Sequence, residues 1–318
     1  MSIRSWFHYR LTQNGLVSLR SMSERTLAAR IFISEPDHRL RAGWRILVQT
    51  FLFFLVSIFL VFPARLLLLF IPLSPSILLL LIQTASFAAI IISVFIARRY
   101  LDRRSFTSLG FQANGRVWQD LLAGFLIAGI MMGFIYGIER LAGWLSVTSV
   151  VWQDTSTVEV ILSLGIMLLV FIVTGWQEEL YFRGYLLQNI SEGLNPAWGV
   201  AISSLVFGLV HLGNPNAALM GALGVTLAGL FMAYACLRTR QLWLPIGLHI
   251  GWNFFEGPLL GFPVSGIGTF QLIRNQIAGP TLFTGGSFGP EAGLVLLPAL
   301  ILGTALVYIY TRFSTRSA

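Results

Sequence analysis

Residues 158–191 read VEVILSLGIMLLVFIVTGWQEELYFRGYLLQNIS. From Val160 to Trp176 the segment carries no charged side chain, and a helix needs about 20 predominantly apolar residues to cross a hydrocarbon core of roughly 30 Å. A bilayer is the solvent such a run expects. The same stretch then places Gln177, Glu178, Glu179 and Arg183 where charge is expensive, so it predicts both a spanning helix and something for that helix to do.

The rest of the chain repeats the pattern. Of 318 residues 56% are hydrophobic and 11% charged, against about one-quarter charged in soluble domains. Apolar length predicts eight helices, near 44–62, 76–96, 120–138, 158–191, 197–213, 217–237, 242–255 and 291–311. Pro63, Pro72 and Pro75 are expected to break the chain between the first two, and Asn195-Pro196 between the fourth and fifth. The fold class is therefore an all-α, polytopic membrane bundle. Residues 1–43 form an Arg-rich tail without the continuous apolar core of a secretory signal, residues 44–318 form one membrane domain, and the Gly- and Pro-rich segment 256–290 is expected to cap the bundle.

The net charge of +8 is topological. No basic segment is interleaved with aromatics on a soluble fold, so nucleic acid is not an expected partner. All 21 basic residues are Arg; with eight spans, the eight up to Arg45, the five between Arg98 and Arg116, Arg238, Arg240, Arg312 and Arg316 fall on one side, which predicts cytoplasmic termini. Only Arg65, Arg140 and Arg274 fall opposite, and Arg183 lies inside the fourth helix. That places segment 256–290 on the non-cytoplasmic side. The lone Cys236 excludes a disulfide framework and a thiolate metal cluster.

Three helices carry polar residues at membrane depth: Glu178-Glu179-x-x-x-Arg183, Phe207-x-x-x-His211 and His249-x-x-x-Asn253. Glu179 and Arg183, four apart, can pair along one face, whereas Glu178 is rotated by about 100° and stays free for chemistry. Around the Gly193–Pro196 turn, Glu178 and His211 are equally far from its centre, which puts both about 24 Å from it. His249 stands only about 14 Å from its own turn, a poorer match in depth. Taken singly, a buried Glu–Arg pair locks helices, a membrane His or Asn is interhelical glue, and Phe207 is core packing. The conjunction of a Glu, two His and an Asn on neighbouring helices is harder to explain as four packing choices.

Two chemistries suit the set. A carboxylate in a low-dielectric pocket is a general base and a nearby His can carry the proton to a leaving amine, while the second His and the Asn donate to a developing oxyanion. Alternatively Glu178, His211 and His249 hold one divalent metal such as zinc. Neither the Gly-x-Ser-x-Gly nucleophile motif nor the His-Glu-x-x-His zinc motif is present.

The ordered set of three motifs resembles the CAAX protease and bacteriocin-processing (CPBP, or Abi) family of intramembrane endopeptidases, over roughly residues 158–256, with looser support from Arg103-Arg104 through Leu109-Gly110-Phe111. The resemblance implies an eight-helix bundle with a lipid-accessible cavity and cleavage of a peptide bond in a membrane-associated protein or peptide. It implies Glu178 and His211 as the water-activating pair, His249 and Asn253 as the oxyanion donors, and Glu179, Arg183 and Phe207 in support. No departure within the motifs suggests a dead enzyme. The family includes both prenyl-protein processing enzymes and members linked to bacteriocin self-immunity, so the substrate stays open. The cytoplasmic Arg pattern suits a plasma membrane. The rival readings are a noncatalytic scaffold and a proton-coupled transporter; the absence of internal repeats weighs against the second.

Overall fold

The computed structural model describes residues 31–314 except 35, 36, 69 and 114. Most of the predicted tail, residues 1–30, and Arg316 lie outside the described residues. Helix α1 spans Ala42–Leu68, α2 Pro75–Ile96, α3 Val117–Leu141, α4 Thr157–Glu179, α5 Leu187–Gly193, α6 Pro196–Val210, α7 Leu219–Thr239, α8 Trp243–Phe254 and α9 Leu296–Ser314. A π-helical stretch, Leu180–Leu186, joins α4 to α5, so Thr157–Gly193 is one long span.

Seven of these segments are long and apolar enough to cross a membrane. The expected span 242–255 exists as α8, but its 12 helical residues extend only about 18 Å. It continues as a π turn through Phe255–Leu259, which contains Pro258. Pro63 is a correction: α1 runs through it to Leu68, and the break falls at Pro72 and at Pro75, the first residue of α2, which Ser74 caps by accepting from the Ile77 amide at 3.4 Å. A proline at the outer end of a membrane helix costs one backbone bond, which neighbouring groups can re-satisfy.

Contacts at the helix ends fix how the spans alternate. Arg45 in the first turn of α1, Arg98 and Asp102 after α2, and Glu192 at the end of α5 form one ion network, with Arg45–Asp102 at 2.8 Å, Arg98–Asp102 at 2.9 Å and Arg45–Glu192 at 3.0 Å; Arg104 also binds Glu192. Arg238 at the end of α7 donates to Thr311 near the end of α9 at 2.9 Å, and Tyr310 donates to Asp120 at the start of α3 at 2.6 Å. The Arg-rich segments thus share one end of the bundle. At the other end, strands β3 (Leu145–Val150) and β4 (Ile273–Ile277) pair antiparallel, which brings the segment after α8 over the start of α4. Two-residue strands β1 (Ile33–Ser34) and β2 (Arg39–Leu40) pair before α1. Both pairs are short additions to an all-α bundle.

The packing centre lies between α3, α7, α8 and α9, where Met131, Met132, Phe231, Leu248, Trp252 and Ala299 are buried. By contrast α1 turns Phe51, Phe54, Ile58, Phe59 and Phe62 outward, as a lipid-facing helix should. Lipid tails remove most hydrophobic drive between spans, so close approach and polar bonds have to hold them. The crossing of α3 and α8 uses both: a side chain at Gly124 would fall against the Leu244 carbonyl, and one at Gly247 against the Leu121 carbonyl.

Candidate active site

Helix α4 ends where its polar residues begin. At Glu179 the backbone passes into the π stretch, a widening of the helix that commonly accompanies functional positions. The two adjacent glutamates part company there. The Glu179 side chain is 0% exposed and Glu178 21% exposed, the second turning into a cavity of about 280 Å³ that His211, His249 and Asn253 also line.

Glu179 is the hub of the buried polar group. Its Oε1 accepts from Arg183 Nη1 at 2.9 Å and from His249 Nδ1 at 2.8 Å. Arg183 also donates to the Gly229 carbonyl on α7 at 3.3 Å and lies 4.2 Å from the centroid of the Phe207 ring, a cation–π contact in a desolvated setting. Phe207 therefore does more than fill space. It stacks edge-on with His211 at 4.8 Å and lies 6.1 Å from the His249 ring, so one aromatic ring carries the guanidinium on one hand and faces both imidazoles on the other.

Hydrogen-bond partners fix the imidazole tautomers, because a carbonyl or an ionised carboxylate only accepts. His211 Nδ1 lies 2.7 Å from the Phe207 carbonyl, so Nδ1–H donates there and Nε2 is left with a lone pair. His249 Nδ1–H donates to Glu179, leaving Nε2 at 3.6 Å from Glu178 Oε2. That Glu178 oxygen has no hydrogen-bond partner among the described residues.

His211 lies within the span Pro196–Gly213, at the C-cap of α6 and as the first residue of a short 3-10 turn, His211–Gly213. One sequence expectation is corrected here: His249, expected to match Glu178 poorly in depth, is the imidazole beside it. The α7–α8 turn is sunk into the protein, with Gln241 and Leu242 buried and the Leu242 amide bound to the Gly110 carbonyl at 2.9 Å, so α8 starts from a deeper level than a surface turn would give. Asn253, one turn after His249, is buried and lines the same cavity.

Among the described residues no three His, Cys, Asp or Glu side chains converge as metal ligands. The Glu178, His211 and His249 set, as arranged, does not fit the zinc site the sequence left open.

Sequence reasoning missed Glu291, Ser265 and Trp252, which also line the cavity. Glu291 comes from a short 3-10 turn, Pro290–Ala292, and Ser265 from the long segment after α8. The available signal was an ionisable residue at the threshold of the last apolar run; without the fold, nothing tied it to α8.

Residues 160–255 match the family described as type II CAAX prenyl endopeptidase Rce1-like, and this match contains all three polar motifs. Two curated proteins of Bacillus subtilis (strain 168) are also similar. One, named "Putative membrane peptidase YdiL", is 28% identical over 172 residues, covering 54% of this chain and 67% of its own length. The other, "Uncharacterized protein YyaK", is 24% identical over 197 residues, covering 60% of this chain and 61% of its own. The chain thus spans between three-fifths and about two-thirds of these relatives.

Proposed function

We propose, from the premise that residues 160–255 form a domain of the Rce1-like family, that the cavity hydrolyses a peptide bond in a membrane-associated protein or peptide. The observation that carries the reading is Glu178, whose partly buried side chain lines a cavity that also holds two imidazoles and a carboxamide and whose Oε2 has no hydrogen-bond partner among the described residues. Glu178 takes a proton from a water molecule as the water oxygen adds to the carbonyl carbon. Asn253, through its amide N–H, and His249, through Nε2–H, hold the resulting oxyanion. In that role His249 carries both ring protons, with Glu179 and Glu178 on either side to balance the charge. The lone pair on His211 Nε2 lets it relay the proton to the departing amine as the C–N bond breaks. Glu179, Arg183 and Phe207 hold the rings at the required angles. No step runs through a metal ion, because the candidate ligands do not converge.

The bilayer is proposed to be the plasma membrane, and the peptidase chemistry does not require a prenylated substrate. The test is cleavage of a membrane-anchored peptide library by the purified full chain, with Glu178→Ala and His211→Ala variants, each with and without a chelator. Cleavage by the wild type that both variants lose by about 10²–10⁴-fold supports the reading; sensitivity to chelator would overturn its metal-free form. Equal cleavage by the variants, or partner capture without any cleavage, would favour a noncatalytic scaffold.

A further inference from the structure

The motifs that carry the proposed chemistry sit on separate elements: Glu178 on α4, His211 on the turn after α6, His249 and Asn253 on α8. Glu178 and α8 are tied through Glu179 and His249. Among the described residues no hydrogen bond joins the turn that bears His211 directly to α8, and the turn's position relative to Asn253 has to be set by something else.

A chain of hydrogen bonds does so, and its middle members, Ser265, Gly266 and Glu291, lie outside the family match. Asn214, three residues after His211, donates through Nδ2 to the Ser265 carbonyl at 3.0 Å, and Asn216 donates to the Gly266 carbonyl at 3.5 Å. Ser265 sits in a tight turn, Val264–Ile267, with its own backbone at φ 47°, a conformation a serine holds only where its surroundings require it. Its hydroxyl donates to Glu291 Oε2 at 2.6 Å, and the other oxygen of Glu291 accepts from Trp252 Nε1 at 3.2 Å. Trp252 immediately precedes Asn253 on α8. Glu291 is itself anchored: its backbone carbonyl lies against Gly224 of α7, where any side chain would collide with it.

We propose that Glu291 is a positioning residue, which clamps the His211 turn to the α8 helix by holding Ser265 with one carboxylate oxygen and Trp252 with the other. The catalytic consequence rests on the function proposed above; the clamp does not. A carboxylate suits the task because it accepts at both oxygens, whereas a glutamine has one acceptor for two donors. Because reactions of this kind are sensitive to ångström-scale misplacement, loosening the clamp is expected to lower kcat and leave KM close to its original value.

The test uses the full chain in detergent or lipid with Ser265→Ala, Trp252→Phe, Glu291→Gln and Glu291→Ala. Ser265→Ala and Trp252→Phe are each expected to lower kcat by about tenfold, within the range such misplacement commands, with KM within about twofold. Adding Ser265→Ala to Glu291→Ala should cost nothing further, since the shared acceptor is already gone. Strictly additive losses, an unchanged kcat, or a rise confined to KM would overturn the clamp. Hydrogen exchange gives a readout that needs no substrate: Glu291→Ala is expected to speed exchange at Val264 and Ile267 and, through Asn214, at Asn214 and Ala217. If only the Val264–Ile267 turn loosens, the link to His211 is absent. Should Glu291→Ala not fold, Glu291→Gln reads the same exchange at intermediate size. If no peptide is cut, or Glu178→Ala cuts as well as wild type, the peptidase reading fails, and exchange still decides the clamp.

Discussion

Glu178 and Glu179 are neighbours in sequence with opposite duties, and the difference can be measured. Glu179 has a guanidinium and an imidazole on one oxygen, so Arg183→Ala removes the guanidinium partner of a buried carboxylate and leaves it bonded to His249. That change is expected to cost about 3–5 kcal/mol, seen as a large fall in Tm or as loss of folded protein in detergent. Glu178 lines a cavity, and its Oε2, 3.6 Å from His249 Nε2, has no hydrogen-bond partner among the described residues. Glu178→Gln should therefore leave Tm within a degree or two of wild type, a surface-like effect of about 0.5 kcal/mol or less, while cleavage falls by about 10²–10⁴-fold. Equal destabilisation by the two substitutions would mean that both glutamates are structural. The adjacent pair was legible as a pair in the sequence, because a helix rotates successive residues by about 100°; that His249 bridges them was not, because it comes from a helix 70 residues later.

At the level of elements, α8 is the part that the site depends on most and that a hydropathy reading describes least well. Its 12 residues are too few to span alone, and it is held by backbone-to-backbone contact with α3. A side chain at Gly247 would meet the Leu121 carbonyl, and one at Gly124 the Leu244 carbonyl, so each helix uses a glycine as the seat for the other's backbone. Gly247→Val is expected to destabilise by about 1–3 kcal/mol through overpacking and to displace His249 two residues on. A thermal melt in detergent together with a cleavage assay checks this; an unchanged Tm would mean that the helices do not cross as closely as described. The α6 end behaves differently. The sequence predicted one apolar run through residue 213, whereas the α-helix stops at Val210 and tightens into a 3-10 turn. Asn214 and Asn216, bound to the Ser265–Gly266 turn, draw that end toward the cavity, and these are long-range bonds that local propensity does not contain.

For the whole molecule, the Arg-rich ends lie together and the β3–β4 pair lies opposite, which makes orientation testable. Cys236 is buried, so single cysteines introduced elsewhere report without background. Ser105→Cys is expected to label from the cytoplasmic side and Thr155→Cys from the other; labelling of both from one side would contradict the positive-inside assignment. Beside Thr155, the Asp154 carboxyl is held below the usual carboxylate range by hydrogen bonds from Arg274 first and Thr155 second. A depressed folded value means that the pair contributes above the ordinary carboxylate pKa, about 4, and that the contribution is lost as pH falls through the folded value. Both side chains are exposed by more than a third, so solvent screens the pair and Asp154→Asn should move Tm only slightly, with the difference from wild type vanishing in acid. The sequence by itself determined the solvent, the number of apolar segments within one marginal case, the shared side of the Arg clusters and the polar residues that gather in one cavity, because those follow from length, periodicity and the cost of charge in lipid. Only the tertiary structure decided which imidazole stands beside Glu178, that Phe207 carries Arg183, and that Glu291 and Ser265 join the site. Depth along a helix is set by where its turn is buried, and the partners that fix it are far away in the chain.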